Sequence, residues 1–161
     1  MVDNSASVVN VTGQITAALA GFVTNFNAQT RVALIAFGTT VQLIQPLTSN
    51  FSAVLVPRGD QGPLTNIADA LSLARTTVTS GAGTRAAATK VTLLLTDGRS
   101  TVGTDAAAEQ VAAGAKAAGV IVFAIGFGDA DPTVLDAIAT APSSIYSFHT
   151  ADVSGLGARM A

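Results

Sequence analysis

The chain has no cysteine, one histidine and only 11% charged residues. The missing cysteine excludes a disulfide framework, a zinc-thiolate site and a cysteine nucleophile together, and leaves the compartment open. Eight Lys and Arg stand against ten Asp and Glu, a formal net charge of −2, so there is no basic footprint for nucleic acid or for an anionic membrane surface. No apolar run approaches the roughly 20 residues of a membrane span, and no basic-then-apolar leader precedes Asp3. The lone His149 lies beyond Phe148 on the last expected strand, where a surface role suits it better than a catalytic one, and no Ser-His-Asp triad is built around it. Apolar residues, in contrast, make up 49% of 161, enough for one domain with a real core over residues 1–161. So little charge leaves few solubilising groups on the surface, which fits a protein that lives in an assembly.

The first distinctive stretch is Asp3-Asn4-Ser5-Ala6-Ser7, a carboxylate and two hydroxyls at alternate positions where an apolar strand ends and a helix begins. If the backbone curls there, three oxygens turn toward one point, a donor set that suits a hard divalent cation such as Mg²⁺. Taken alone, the same residues serve equally as a helix cap or a solvated turn.

The remaining chain alternates helix-like and strand-like segments. Val8, Val11, Ile15, Leu19, Phe22, Val23 and Phe26 recur at helical spacing, predicting an amphipathic helix over 8–26. Residues 31–37 and 40–44 read as strands joined by a two-residue turn, Gly38-Thr39, hence an antiparallel hairpin. A short helical piece is expected over 52–56, ended by Pro57 and Gly59. Gly62-Pro63-Leu64-Thr65-Asn66 is a turn before a helix over 66–79, followed by a flexible tract over 80–89. Val91-Thr92-Leu93-Leu94-Leu95 reads as a central parallel strand covered on both faces, stopping at Thr96-Asp97-Gly98. A helix over 105–118 stops at Gly119, a strand covers 120–127, and Asp131-Pro132 opens a helix through Ala139. An edge strand over 145–148 and a short helix from Asp152 complete the series.

This alternation with one early hairpin indicates an α/β fold: an open, mostly parallel, doubly wound sheet with helices on both faces and one antiparallel edge hairpin. Ligands bind such sheets at the carboxyl ends of the strands, where strand order reverses. Asp3, Ser5 and Ser7 follow one strand position, Thr65 precedes a helix and Asp97 ends a central strand. All five are therefore placed to converge on one crevice, as five oxygen side chains around a cation with water in the remaining position.

These pieces resemble the von Willebrand factor type A domain found in integrins and matrix proteins. The resemblance rests on Asp3-Asn4-Ser5-Ala6-Ser7, on Thr65-Asn66 before the Ala70-Leu71 helix, on Thr96-Asp97-Gly98, on Ile125-Gly126-Phe127-Gly128 and on the helix from Leu135 to Ile138. It implies a metal-ion-dependent adhesion site in which Asp3, Ser5, Ser7, Thr65 and Asp97 hold Mg²⁺, or else Mn²⁺ or Ca²⁺, directly or through water. A partner's Asp or Glu carboxylate would complete the shell. Gly126-Phe127-Gly128 is not a phosphate loop, lacking a third glycine at the required spacing and a lysine. Arg99 is expected as a solvated loop arginine, with contact to a ligand carboxylate at the rim as the alternative.

The expected function is a cation-dependent protein-binding or adhesion module, not an enzyme, at the cell surface or outside the cell. Two alternatives are a structural block of an extracellular filament, coat or matrix, and an intracellular subunit coupled to an ATPase assembly machine. Asn10-Val11-Thr12 and Asn50-Phe51-Ser52 match the N-glycosylation acceptor pattern, usable if the chain is secreted in a eukaryote. One expectation comes from a shortage. The strand before Asp3 should run about 5–6 residues in mid-sheet, yet only Met1 and Val2 precede Asp3. Either the sequence is part of a longer protein, or a neighbouring chain donates a strand to the gap.

Overall fold

The fold is known from a computed structural model, which describes residues 1–53 and 61–155. Six strands form one sheet: β1 (Val2–Asp3), β2 (Val32–Phe37), β3 (Val41–Thr48), β4 (Lys90–Thr96), β5 (Val120–Phe127) and β6 (Ser147–Thr150), in the order β3-β2-β1-β4-β5-β6. All neighbours are parallel except β2 and β3. One face is covered by α2 (Ile67–Thr79), α3 (Asp105–Ala117) and α4 (Pro132–Ile138), whose Leu71, Ala112 and Ile138 pack with Leu94 and Val122. The other carries α1 (Thr12–Val23), whose Ile15 and Leu19 pack with Val2, Leu34, Leu95 and Ile125. The doubly wound mixed sheet expected from the alternation is present.

The strand before Asp3 lies in mid-sheet as expected, and only its last two residues are there. Val2 pairs with both Ala36 and Leu95, and Asp3 with Phe37, so two residues of the chain itself bridge β2 and β4 at the upper end of the gap. The lower end stays open, and there β4 is not covered on both faces: Val91 is 46% exposed whereas Leu95 is 0%.

Several boundaries move for identifiable reasons. The first helix divides into a 3₁₀ segment, Ala6–Val11, and α1, and ends at Val23 rather than Phe26. Together they form an 18-residue helical run, Ala6–Val23, apolar enough by length and composition to cross a membrane, contrary to the expectation from runs of apolar residues. Val8, Ile15, Leu19 and Val23 along it are buried in the protein. β3 continues to Thr48 through Pro46, which an edge strand tolerates because its outer N–H needs no partner. The hairpin turn holds three residues, not two, since Phe37 pairs with Val41 and Gly38 N donates to Thr40 O at 2.9 Å. The expected edge strand over 145–148 lies two residues later. Ser143–Tyr146 instead forms one helical turn, α5, and β6 pairs from Ser147 to Thr150. Of the helical piece over 52–56, Phe51–Ala53 is a 3₁₀ turn and the rest lies outside the described residues. The last helix is likewise a 3₁₀ turn, Val153–Gly155.

Helix ends agree with the chemistry of their residues. Asn66 caps α2 by accepting from Asp69 N, Asp131 caps α4 from Thr133 N, and Gly119 after α3 has φ +78°. Gly126 on β5 is needed for close approach: a Cβ there would lie 2.4 Å from Leu135 Cδ1 and 2.7 Å from Ala130 Cβ. Gly126→Ala should therefore cost about 1–3 kcal/mol by overpacking α4 against the sheet, read as a lower midpoint in urea unfolding. An unchanged midpoint would show that α4 shifts freely.

Candidate metal centre

β1 and β4 end side by side, and their C-terminal residues begin the crevice. Asp3 is 1% exposed. Its Oδ1 accepts from Ser5 N at 3.0 Å, closing the turn that follows β1, and its Oδ2 accepts from Thr96 Oγ1 at 2.6 Å. Asn4 N donates to Phe37 O at 2.7 Å, which fixes the turn to the end of β2. Beyond the turn, Ser5 Oγ lies 3.1 Å from Ser7 Oγ, and Ser7 Oγ donates to Asp97 Oδ1 at 2.9 Å. Asp3, Ser5, Ser7 and Asp97 thus stand in one connected cluster, although 90 residues separate Ser7 from Asp97.

Thr65 stands on the loop before α2. Its N donates to Thr101 Oγ1 at 2.7 Å and its carbonyl accepts from Thr101 N and Val102 N. Asn66 N donates to Gly38 O at 2.9 Å. The Thr65 loop is therefore tied to the loop after Asp97 on one side and to the end of β2 on the other. Its hydroxyl forms no hydrogen bond with the other four residues.

Electrostatics single out the two carboxylates. Burial pushes the Asp3 carboxyl above its usual range, opposed by the hydrogen bonds from Thr96 and Ser5 and reinforced by Asp97. Burial also raises Asp97, opposed by Ser7 and reinforced by the charge of Asp129. Among the described residues the only ion pairs belong to Arg99, which binds Asp131 and lies 3.8 Å from Asp105. Arg99 is the solvated loop residue expected, 60% exposed at its side chain, and it is in addition paired with these two carboxylates. Two carboxylates, those of Asp3 and Asp97, are held close together and partly desolvated, without an ion-pair partner among the described residues, beside hydroxyls that can offer lone pairs. This donor set fits a hard dication and is otherwise costly to maintain.

Sequence reasoning did not assign roles to Thr96, Thr101 and Asp129. Thr96 was visible only as part of a motif, and its bond to Asp3 follows from β4 lying next to β1. Asp129 could have been found as a carboxylate just beyond β5, the strand next to β4. His149 sits on β6 with Nε2 3.2 Å from Gly128 O, away from this cluster. Asn10 and Asn50 are both exposed.

The von Willebrand factor type A domain model matches residues 1–158. The chain belongs to that family. Solved structures with the same fold include proximal thread matrix protein 1 from the mussel byssus, with a zinc-occupied MIDAS motif (25% identity, TM-score 0.78, 99% of this chain and 44% of that one). Another form of the mussel protein superposes with TM-score 0.84 at 24% identity. Manganese-loaded TRAP from Plasmodium vivax aligns at 19% identity and TM-score 0.77 over 99% of this chain and 69% of its own. The pilus adhesin SpaC from Lactobacillus rhamnosus GG aligns at 17% and 0.78, over 99% of this chain and 28% of its own. The chain spans under half the length of the mussel protein. None of the curated proteins matches it.

The raised carboxyls make a pH prediction for the metal-free protein. A carboxyl with a raised pKa in the folded state binds more protons folded than unfolded between its unfolded and folded values. In that window stability rises as pH falls and is lost as pH rises. With chelator present, thermal stability should increase from pH 7 toward the ordinary carboxylate range near about 4, and Asp3→Asn should flatten the rise. An identical slope in the variant would remove Asp3 as its source.

Proposed function

We propose that this domain is a cation-dependent protein-binding module of the adhesion type, not an enzyme. In this reading Asp3, Ser5, Ser7, Thr65 and Asp97 hold Mg²⁺, with Mn²⁺ or Ca²⁺ as substitutes, directly or through water. The observation that carries it is the hydrogen-bonded run Ser5–Ser7–Asp97 beside the buried Asp3, without an ion-pair partner among the described residues, in a chain of the type A family. A bound dication would supply an electrophilic point for a partner's Asp or Glu carboxylate.

The protein's own residues prepare that point. Ser5 N and Thr96 Oγ1 fix both oxygens of Asp3, so its orientation is set before any cation arrives. Ser7 aligns Asp97 in the same way, and Thr101 holds the Thr65 loop. Exposed apolar side chains flank the cluster: Val9 (64%) lines a shallow cleft with Ser5 and Pro63, and Leu64 (43%) precedes Thr65. They offer contact area through which a partner is selected, while the carboxylate supplies the common anchor. Relatives in fold are a byssus matrix protein and a pilus adhesin, which favours a place at the cell surface or outside the cell.

A second reading, a block of an extracellular matrix, is favoured by the mussel matrix protein's TM-score of 0.84 and by the low charge of 11%. Two experiments separate the readings. Asp97→Ala removes one of the cluster's two carboxylates and should abolish Mg²⁺ and Mn²⁺ binding in calorimetry while the circular dichroism spectrum is kept. Unchanged affinity would sink the ligand assignment. A cognate partner should be released by chelator and weakened strongly when one of its acidic residues becomes the amide. Binding indifferent to chelator would favour the matrix reading.

A further inference from the structure

The loop between β4 and α3, residues 97–104, carries one proposed cation ligand and fastens a second. Asp97 opens it. Thr101 and Val102 then hold both polar backbone groups of Thr65: Thr65 N donates to Thr101 Oγ1 at 2.7 Å, and Thr65 O accepts from Thr101 N at 2.9 Å and from Val102 N at 3.1 Å. On the β2 side this pair of loops is anchored by Asn66 N on Gly38 O at 2.9 Å. The bonds within the loop's own neighbourhood are local, from Gly98 N to Thr96 Oγ1 at 3.3 Å and from Ser100 N to Asp105 Oδ1 at 3.0 Å. On the β5 side it is the side chain of Arg99 that reaches across.

Arg99 binds Asp131, the N-cap of α4, and stands 3.8 Å from Asp105 in the first turn of α3. Both acceptors are held from another direction as well, Asp131 Oδ1 by Thr133 N at 2.8 Å and Asp105 Oδ1 by Ser100 N. Their side chains are only 19% and 23% exposed, so the pairs are less screened than the open end of Arg99 suggests. One guanidinium therefore joins two helix starts to the loop that begins at Asp97. That fork suits arginine and not lysine, which is a single point charge. The rim also needs the charge. Asp97, Asp105, Asp129 and Asp131 all follow β4 or β5, and among the described residues Arg99 is the one cation paired with any of them.

We propose that Arg99 is a positioning residue of the cation site: its bridge to Asp131 and Asp105 holds loop 97–104 in the arrangement that presents Asp97 and the Thr65 loop to one cation. The inference rests on the cation reading above. Two effects of opposite sign decide what its removal does. By charge alone, a positive side chain two residues from Asp97 repels a dication, and losing it tightens binding. Yet the guanidinium's charge is already met by two carboxylates, whereas the charge acting on Asp97 is that of Asp129. Without the bridge, Asp105 and Asp131 lose their shared counter-charge, and the loop must be ordered anew each time a cation binds. The second effect outweighs the first, so a neutral residue at this position weakens cation binding.

The test compares the wild-type chain of residues 1–161 with Arg99→Gln and Arg99→Lys. Amide exchange is measured first, in chelator, so that this arm needs no cation. Arg99→Gln should speed exchange at Thr101 and Val102 by about fivefold, the scale of a partly screened ion pair, while the amides of β4 and β5 keep their protection. Calorimetry with MgCl₂ should then show binding weaker by about three- to fivefold on the same scale, and Arg99→Lys, which keeps the charge but not the fork, should recover part of both effects. Mg²⁺ binding by Arg99→Gln that equals or exceeds that of the wild type overturns the proposal. So does unchanged exchange at Thr101 and Val102. A wild type that binds no Mg²⁺ would be a failure of the cation reading itself, and the exchange comparison then decides alone whether Arg99 holds the loop.

Discussion

The pairing of Val2 and Asp3 between β2 and β4 is the constraint on which the rest depends. It places a carboxylate at 1% exposure in mid-sheet, with Ser5 N and Thr96 Oγ1 as its hydrogen-bond donors and no ion-pair partner among the described residues. A buried carboxylate in that state resists ionisation, and burial is indeed the leading cause of the rise in its pKa. Everything else in the crevice is arranged around that unbalanced group: Ser7 aligns the second carboxylate, and Thr101 and Gly38 hold the Thr65 loop above the strand ends.

The fold supplies this arrangement through strand order. From β1 the chain passes to β2 on one side and later to β4 on the other, so the loops after β1 and β4 meet where the direction of winding reverses. Helices pack on both faces of the sheet. Small residues serve the packing, as Gly126 admits Leu135, and as Ala108, Ala112 and Ala115 bring α3 close to the sheet. The chain has so little charge that its few acidic groups acquire individual roles. Asp69, Asp105, Asp131 and Asp152 each accept a hydrogen bond within their own turn or from a neighbouring loop, whereas Asp3 and Asp97 stand in the crevice, with the charge of Asp129 acting on Asp97.

Much of this was legible in the sequence, for physical reasons. Apolar periodicity reports burial, so α2, α3 and β5 were placed within a residue or two. The alternating Asp-Ser-Ser stretch and the carboxylate ending β4 marked the crevice, because strand ends gather there in any doubly wound sheet. Tertiary context decided what was misread. The edge strand slipped by two residues because Ser143–Tyr146 closes a helical turn, and β3 outran its apolar pattern because an edge strand need be apolar on only one side. Arg99 is solvated as expected, but its pairing with Asp131 and Asp105 is set by the approach of the α3 and α4 N-termini, which no spacing encodes. The exposure of Val91 was likewise hidden, since a run of apolar residues does not reveal how many neighbours a strand has along its length.

The central claim, that the cluster around Asp3 and Asp97 holds a divalent cation, is tested most directly by diffraction from crystals grown with Mn²⁺, with data collected at the manganese absorption edge. The account predicts one strong anomalous peak within bonding reach of the oxygens of Ser5, Ser7 and Asp97, near Asp3 and the Thr65 loop. A well-ordered crevice with no anomalous peak, or a peak held by other residues, would contradict it.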